Sequence, residues 1–308
     1  MELIRGAHNL RPGHRGTVAT IGNFDGLHLG HQAVLGQLAE KGAQLRLPTT
    51  AISFEPLPRE YFQGDKAPPR LQRFRDKLLA MRRFSVDRLL CLRFDAALAS
   101  QEAQAFVREL LVERLGVRYL VVGDDFRFGR DRVGDFKLLT EMGARHDFQV
   151  AHMHSFQVDG ARVSSTRIRD ALGNGDMDTA QKLLGRPYRL SGRVAHGDKR
   201  GRQIGFPTAN LRLGPRPLAV RGVYAVEVFG LDHEPVYGVA NVGKRPTVNG
   251  AQNRLEVHLF DVDADLYGRH LHVDLLARIR DEQRFESLDA LKAQIALDAQ
   301  QARDYFRT

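Results

Sequence analysis

The sequence predicts two folds in series: an α/β half built on a parallel sheet, then a small antiparallel β-barrel with a terminal helix. Three observations predict this. Short apolar runs alternate with helical patterns as far as Leu184. Beyond Gly185-Arg186-Pro187, short strands follow one another with Gly-rich turns between them. The 308 residues, 43% hydrophobic and 27% charged, are enough for two buried cores.

In the first half, Thr17 to Gly22 reads as a buried strand and Gly30 to Gln44 as a helix with Val34, Leu35 and Leu38 on one face. Thr49 to Phe54, Arg88 to Arg93 and Tyr119 to Gly123 read as further strands. Arg70 to Phe84, Gln101 to Leu115, Gly134 to Gly143 and Ser165 to Leu172 suit helices. Function in such a sheet gathers at the carboxyl ends of the strands. A helix over Asp178 to Leu184 closes this half, which places the domains at residues 1–184 and 185–308. The second half has strands at Tyr188 to Val194, Gly222 to Phe229, Tyr237 to Val242, Leu255 to Phe260 and His270 to Ile279. Ser287 then caps a helix with Leu288, Leu291 and Ile295 as its apolar face.

Composition bounds the function. No apolar run reaches membrane-spanning length, and Met1 to Gly6 lacks the apolar core of a signal peptide. Cys91 is the only cysteine, which excludes an intramolecular disulfide and a Cys-based zinc site. A cytoplasmic protein is expected. The net charge of +9 attracts polyanions, whether nucleic acid or ATP, and charge alone does not choose between them.

Gly22-Asn23-Phe24-Asp25-Gly26-Leu27-His28-Leu29-Gly30-His31 follows the first strand and opens the first helix. His28 and His31 are three apart, so at a helix start they share a face. Glycines admit a phosphate chain to the backbone, and the helix N-terminus adds N–H donors and partial positive charge. Two imidazoles there can stabilise charge on an attacked α-phosphate. A bare H-x-G-H also occurs in ordinary surface turns. Gly123 to Gly129 (GDDFRFG) joins carboxylates, an arginine and two aromatics at a strand's carboxyl end, suited to a flat ring plus phosphates. The other reading of this string is a turn with Phe126 and Phe128 in the core. Val163 to Arg169 (VSSTRIR) puts hydroxyls at a helix start, for phosphates or simply as an N-cap.

In the second half, Gly192 to Asn210 (GRVAHGDKRGRQIGFPTAN) is the most specific string. Gly197, Gly201 and Gly205 permit a loop whose N–H groups curl round an anion, and Lys199, Arg200 and Arg202 add charge. Thr208 and Asn210 point to one side of a strand, and their hydroxyl and amide oxygens are hard ligands suited to Mg²⁺. There is no P-loop. Along Leu255 to Phe260, Glu256, His258 and Phe260 share one face, and Glu256 there is either a base beside a bound hydroxyl or a solvated strand glutamate.

GNFDGLHLGH, SFEPLP (Ser53 to Pro58), GDDFRFG and VSSTRIR, in this order, resemble the Rossmann-like nucleotidyltransferase half of bacterial bifunctional riboflavin kinase/FAD synthetases. GDKRGRQIGFPTAN, GVYAV (Gly222 to Val226), NVGKRPTV (Asn241 to Val248), EVHLF, DLYG (Asp265 to Gly268) and RDEQRF (Arg280 to Phe285) resemble riboflavin kinase. The resemblance implies two reactions: phosphorylation of riboflavin by ATP to FMN, and adenylylation of FMN by a second ATP to FAD, both with Mg²⁺. For adenylylation it implies ATP contacts from Gly22, Asn23, Phe24, His28, Gly30, His31, Ser164, Ser165, Thr166 and Arg169, and flavin contacts from Phe62, Asp125 and Phe128. For the kinase it implies ATP contacts from Gly197, Lys199, Gly201, Arg202, Gly205 and Pro207, Mg²⁺–ATP at Thr208 and Asn210, Glu256 as base, and a flavin cover from Arg280, Glu282 and Phe285. Small-molecule substrates, no nucleic-acid or membrane partner, and a monomer or weak homo-oligomer are expected. Two rival readings are a single activity beside a flavin-binding module, and an RNA-binding barrel. Intact strings in both halves oppose the first, and scarce aromatic strings in the barrel oppose the second.

Overall fold

The computed structural model describes residues 1–153, 155–195, 205–231, 234–247 and 250–307. They fall into two compact units, Met1–Pro68 with Gln72–Ser164, and Pro69–Leu71 with Ser165–Thr308.

The first unit is a parallel sheet of β1 (Glu2–Arg5), β2 (Thr17–Ile21), β3 (Thr49–Glu55), β4 (Arg88–Arg93), β5 (Val117–Gly123) and β6 (Gln149–Met153). The strand order is β1-β4-β3-β2-β5-β6. From β2 the chain adds β3 and β4 on one side, then crosses to add β5 and β6 on the other. That reversal leaves a crevice at the carboxyl ends of β2 and β5, where open α/β sheets bind ligands. Alternate strand residues feed two cores. Ala19, Ile21, Ile52, Leu90 and Leu120 pack on one face with Leu111 and Leu139, and Val18, Ala51 and Leu89 pack on the other with Leu35, Leu38 and Met81. Burial on both faces explains the continuous apolar runs of these strands.

Helices α1 (Leu29–Leu45), α2 (Pro58–Gln63), α3 (Phe74–Met81), α4 (Ala96–Ser100), α5 (Ala103–Phe106) and α6 (Phe136–His146) connect the strands, and α5 runs on into π-helical turns over Val107–Arg114. A hairpin of β7 (Gln157–Val158) and β8 (Ala161–Arg162) ends the unit. The helix expected from Arg70 starts instead at Phe74. Pro68 and Pro69 keep the preceding chain extended, and Arg70 makes an isolated parallel bridge to Leu218 in the second unit's own chain.

The second unit opens with α7 (Ser165–Asn174) and α8 (Met177–Leu184), the latter capped by the Asp176 carboxylate, which accepts from Thr179 N at 2.9 Å, and ended by Gly185 at φ 70°. A closed barrel follows, β9 (Tyr188–Ala195), β10 (Ala209–Gly214), β11 (Gly222–Phe229), β12 (Val236–Thr247), β13 (Gly250–Leu259) and β14 (His270–Arg280), in the order β10-β13-β12-β11-β14-β9. Leu211, Val226, Val242, Leu255, Val257 and Val273 point inward, each fully buried.

Helix α9 (Leu288–Tyr305) packs on Val223, Ala225 and Val239 through Ala299 and Ala302. Its expected apolar face is corrected at one end. Leu288 is 63% exposed, while Leu291 and Ile295 are half-buried and the face continues through Asp298, Ala299 and Ala302. The buried Asp298 takes both arms of Arg280, with Nε to Oδ1 at 2.8 Å and Nη2 to Oδ2 at 2.7 Å, and Gln294 Nε2 adds a third donor at 2.9 Å. Bidentate geometry matches the guanidinium fork to the carboxylate. Replacing Asp298 with Ala strands the Arg280 charge, so we expect a loss of about 3–5 kcal/mol from the barrel unit. A fall in its urea midpoint by far-UV circular dichroism checks this.

Candidate active sites

The loop from β2 to α1 is held in an unusual backbone. Phe24 (φ 48°) and Leu27 (φ 46°) are left-handed non-glycine residues with rings and branches 1% exposed in the core. Each costs about 1–3 kcal/mol of backbone strain, which their apolar burial offsets. Phe24 therefore supports the loop from beneath, with its ring 5.3 Å from that of His31.

His28 is the N-cap of α1, and its Nδ1 accepts the His31 N–H at 3.3 Å. That bond puts the proton of the neutral His28 ring on Nε2. The two rings stack at 3.7 Å. A side chain at Gly30 would meet the His28 ring at 3.3 Å, so a glycine leaves this stack undisturbed. His31 Nδ1 is buried without a hydrogen-bond partner among the described residues. Burial first, then the charges of His28 and Lys77, hold the His31 pKa well below the usual histidine value. His31 is thus a neutral imidazole at pH 7.

The other loops of this unit are also placed. Phe62 is 67% exposed and meets Tyr61 and Phe94 edge-on at 5.2 Å and 5.7 Å. Phe128 is 8% exposed and packs on Phe106 and Phe126 at 5.7 Å and 5.5 Å, so it forms wall rather than open face. Asp125 pairs with Arg162 of β8 at 2.7 Å. Asp124 accepts from Ser155 N at 2.7 Å and from the His152 ring at 3.0 Å, which tie the β5 loop to β6 and the chain just after it. Those bonds, led by His152, hold the Asp124 carboxyl below its usual pKa. Ser164 ends the first unit; Ser165 and Thr166 start α7 in the second, where Arg169 Nε donates to Pro69 O at 2.6 Å.

In the barrel, pairing brings the predicted kinase residues into one row. Asn210 of β10 lies opposite Glu256 of β13, which lies opposite Asn241 of β12. Directly opposed residues share a face with Cβ atoms about 4.5–5.5 Å apart. Their neighbours Leu211, Leu255 and Val257 point into the barrel, so the polar row faces outward. Asn210 Nδ2 donates to Thr208 O at 3.3 Å, whereas its Oδ1 is buried with no partner among the described residues. An orphaned amide oxygen beside a threonine hydroxyl fits a hard cation that supplies the missing partner.

Two residues flanking Glu256 on β13 make contacts that the sequence reading did not assign. Arg254 Nη1 pairs with Glu256 Oε1 at 2.7 Å. His258 Nδ1 donates to Pro207 O at 2.9 Å and pins the PTAN string beside β13. Gly205 turns the chain at φ 86° just before it. Gly197, Lys199, Gly201 and Arg202 lie outside the described residues. The segment after β14 starts at Arg280, which is occupied by Asp298 and also stacks on Phe285 at 5.6 Å. Glu282 reaches back over Gly243 of β12, where a β-carbon would collide with its carboxyl group. Among the described residues no group of three His, Cys, Asp or Glu could hold a metal, and no helix is long and apolar enough to cross a membrane.

The depressed His31 pKa has a consequence for stability. The unfolded histidine takes up its proton near pH 6.5, while folded His31 does so only at lower pH. Its contribution to stability is full above about pH 6.5 and declines as pH falls toward the folded value. We expect His31→Gln to lessen the acid destabilisation of the first unit. Nitrogen-15 NMR of the wild type should show the His31 ring neutral through the midpoint of an ordinary histidine.

Comparison with known proteins agrees with both halves. The FAD synthetase family model matches residues 10–167, and the riboflavin kinase model matches residues 184–306. A bifunctional riboflavin kinase/FMN adenylyltransferase of Escherichia coli (strain K12) is 53% identical, over 99% of this chain and 98% of that protein. That of Haemophilus influenzae is 48% identical over the full length of both, and that of Pseudomonas fluorescens 51% identical over 98% and 97%. A solved structure from Streptococcus pneumoniae, described as a macrolide-efflux protein, has a TM-score of 0.84 at 31% identity, covering 98% of this chain and 99% of its own. With both family models in order and half of all residues shared along its whole length, the chain belongs to the bifunctional riboflavin kinase/FMN adenylyltransferases.

Proposed function

We propose that the two activities divide between residues 1–184, which form FAD, and residues 185–308, which form FMN. The observation that carries the kinase assignment is the row Asn210–Glu256–Asn241, with the Asn210 oxygen left without a donor among the described residues. Glu256 takes the proton of the terminal ribityl hydroxyl of riboflavin as its oxygen bonds to the γ-phosphorus of ATP. The bond from that phosphorus to the β-phosphate oxygen breaks, which releases ADP. Thr208 and Asn210 would hold Mg²⁺, whose charge offsets that of the triphosphate. Arg280 anchors the cover segment to α9, and Glu282 and Phe285 extend it toward the flavin.

In the first half, an FMN phosphate oxygen attacks the α-phosphorus of a second ATP, and pyrophosphate leaves. The neutral His31 and the Nε2 proton of His28 donate to oxygens that gain charge in that step, helped by the N–H groups of the α1 start. We read Ser164, Ser165, Thr166 and Arg169 as triphosphate ligands, and Phe62 and Asp125 as flavin contacts. The lone buried Cys91 and the ATP requirement support a cytoplasmic enzyme. It acts on small molecules as a monomer or weak homo-oligomer.

Chromatography of riboflavin incubated with ATP and Mg²⁺ tests the division. Asn210→Ala should stop FMN from appearing, and His31→Ala should let FMN accumulate while FAD formation falls by 10²-fold or more, roughly the worth of a lost transition-state donor. Wild-type yields of FMN from the first variant, or of FAD from the second, would contradict it.

A further inference from the structure

Lys77 of α3 is 1% exposed, the only buried lysine among the described residues. An ammonium is costly to bury unless its donors are satisfied. Here Nζ donates to Asn23 O at 2.7 Å and to Ser53 Oγ at 3.3 Å, and Ser53 Oγ itself reaches Asn23 O at 3.4 Å. A cation and a hydroxyl thus converge on one main-chain carbonyl, in the loop between β2 and α1. A trans peptide is planar, with its C=O and N–H pointing opposite ways. Turning the Asn23 carbonyl toward Lys77 therefore turns the Phe24 N–H away from it. Phe24 is the first left-handed residue of the loop, so this peptide plane is where the strained path begins.

We propose that Lys77 is a positioning residue for adenylyl transfer: its ammonium grips the Asn23 carbonyl from inside the core and so sets the loop that carries His28 and His31. The proposal rests on the reading that the first half carries FAD formation. Lys77 never meets substrate; it acts through the loop. Its charge also faces His31, with His28 the other charged group bearing on that ring.

The test uses the full-length chain with Lys77→Met, which keeps length and loses donor and charge, and Lys77→Gln, which keeps a neutral donor. FAD formation from FMN, FMN formation from riboflavin, and the His31 titration are read on each preparation. Lys77→Met should lower kcat for FAD formation about 100-fold, the scale of a misplaced catalytic group, with the KM for FMN changed less than threefold. Riboflavin phosphorylation should stay at wild-type rate, and the His31 midpoint should move up. Lys77→Gln should regain about tenfold of the rate, while the His31 midpoint stays raised. Lys77→Met with FAD formation within threefold of wild type, or with an unmoved His31 midpoint, overturns the proposal.

If neither variant folds in its first half, Ser53→Ala decides, since it weakens the grip on Asn23 without stranding a charge. About fivefold slower FAD formation supports the proposal, and an unchanged rate ends it. His31→Ala is measured alongside. If it leaves FAD formation intact, the placement of the chemistry fails; if it abolishes FAD formation while Lys77→Met does not, only the role of Lys77 fails.

Discussion

Each of the two loops that we read as phosphate-binding has a peptide plane held by a side chain that donates to its main-chain carbonyl. Lys77 grips Asn23 O before the α1 histidines, and His258 grips Pro207 O before Thr208 and Asn210. The two halves share no fold, yet the device is the same. In a trans peptide, a carbonyl engaged on one side leaves the following N–H pointing to the other. Loops also carry the unsatisfied backbone groups that make anion sites. Strain at Phe24 and Leu27 persists only because the surrounding core over-determines it.

This division of labour explains what could be read in the sequence. The strings that we propose touch substrate are continuous, because a loop and the helix or strand it opens are made of consecutive residues. GNFDGLHLGH and GFPTAN could therefore be recognised as strings. The residues that hold those strings come from elsewhere: Lys77 lies 54 positions from Asn23, and His258 lies 51 from Pro207. Nothing in a linear pattern links such pairs. A lysine just before the apolar Leu78 to Met81 run of α3 was the one available signal for the first, because lysine is almost never fully buried unless paired. Asp298 gave a similar signal among the alanines of α9.

The fold was legible where burial is two-sided and hidden where it is not. Strands β2 to β5 read as apolar runs because both faces are covered. Edge strands β1 and β6 lack such runs, and β1 has only four residues, Glu2–Arg5, of which one is fully buried. Their pairing partners β4 and β5 supply the order that their own side chains do not. At the start of α9, periodicity alone joined Leu288 to the apolar face. The first turn projects beyond the barrel, so the face begins one turn later, at Leu291.

Two ion pairs of the barrel differ in burial, and the difference sorts their roles. Arg280 and Asp298 are 16% and 3% exposed at their side chains, and breaking such a pair costs about 3–5 kcal/mol. It is therefore architecture, and the cover segment can move only beyond it. Arg254 and Glu256 are 28% and 33% exposed, and a pair that wet contributes roughly 0–1 kcal/mol. As the proposed base, Glu256 would have to release its resting partner to meet a substrate hydroxyl. At that strength the exchange of Arg254 for a substrate hydroxyl, which the proposed role of Glu256 calls for, would cost little, and the guanidinium lies two residues away on the same strand face. The pair that the protein can most easily break is the one at the proposed base, and the pair that is costly to break ties Arg280 at the end of β14 to α9.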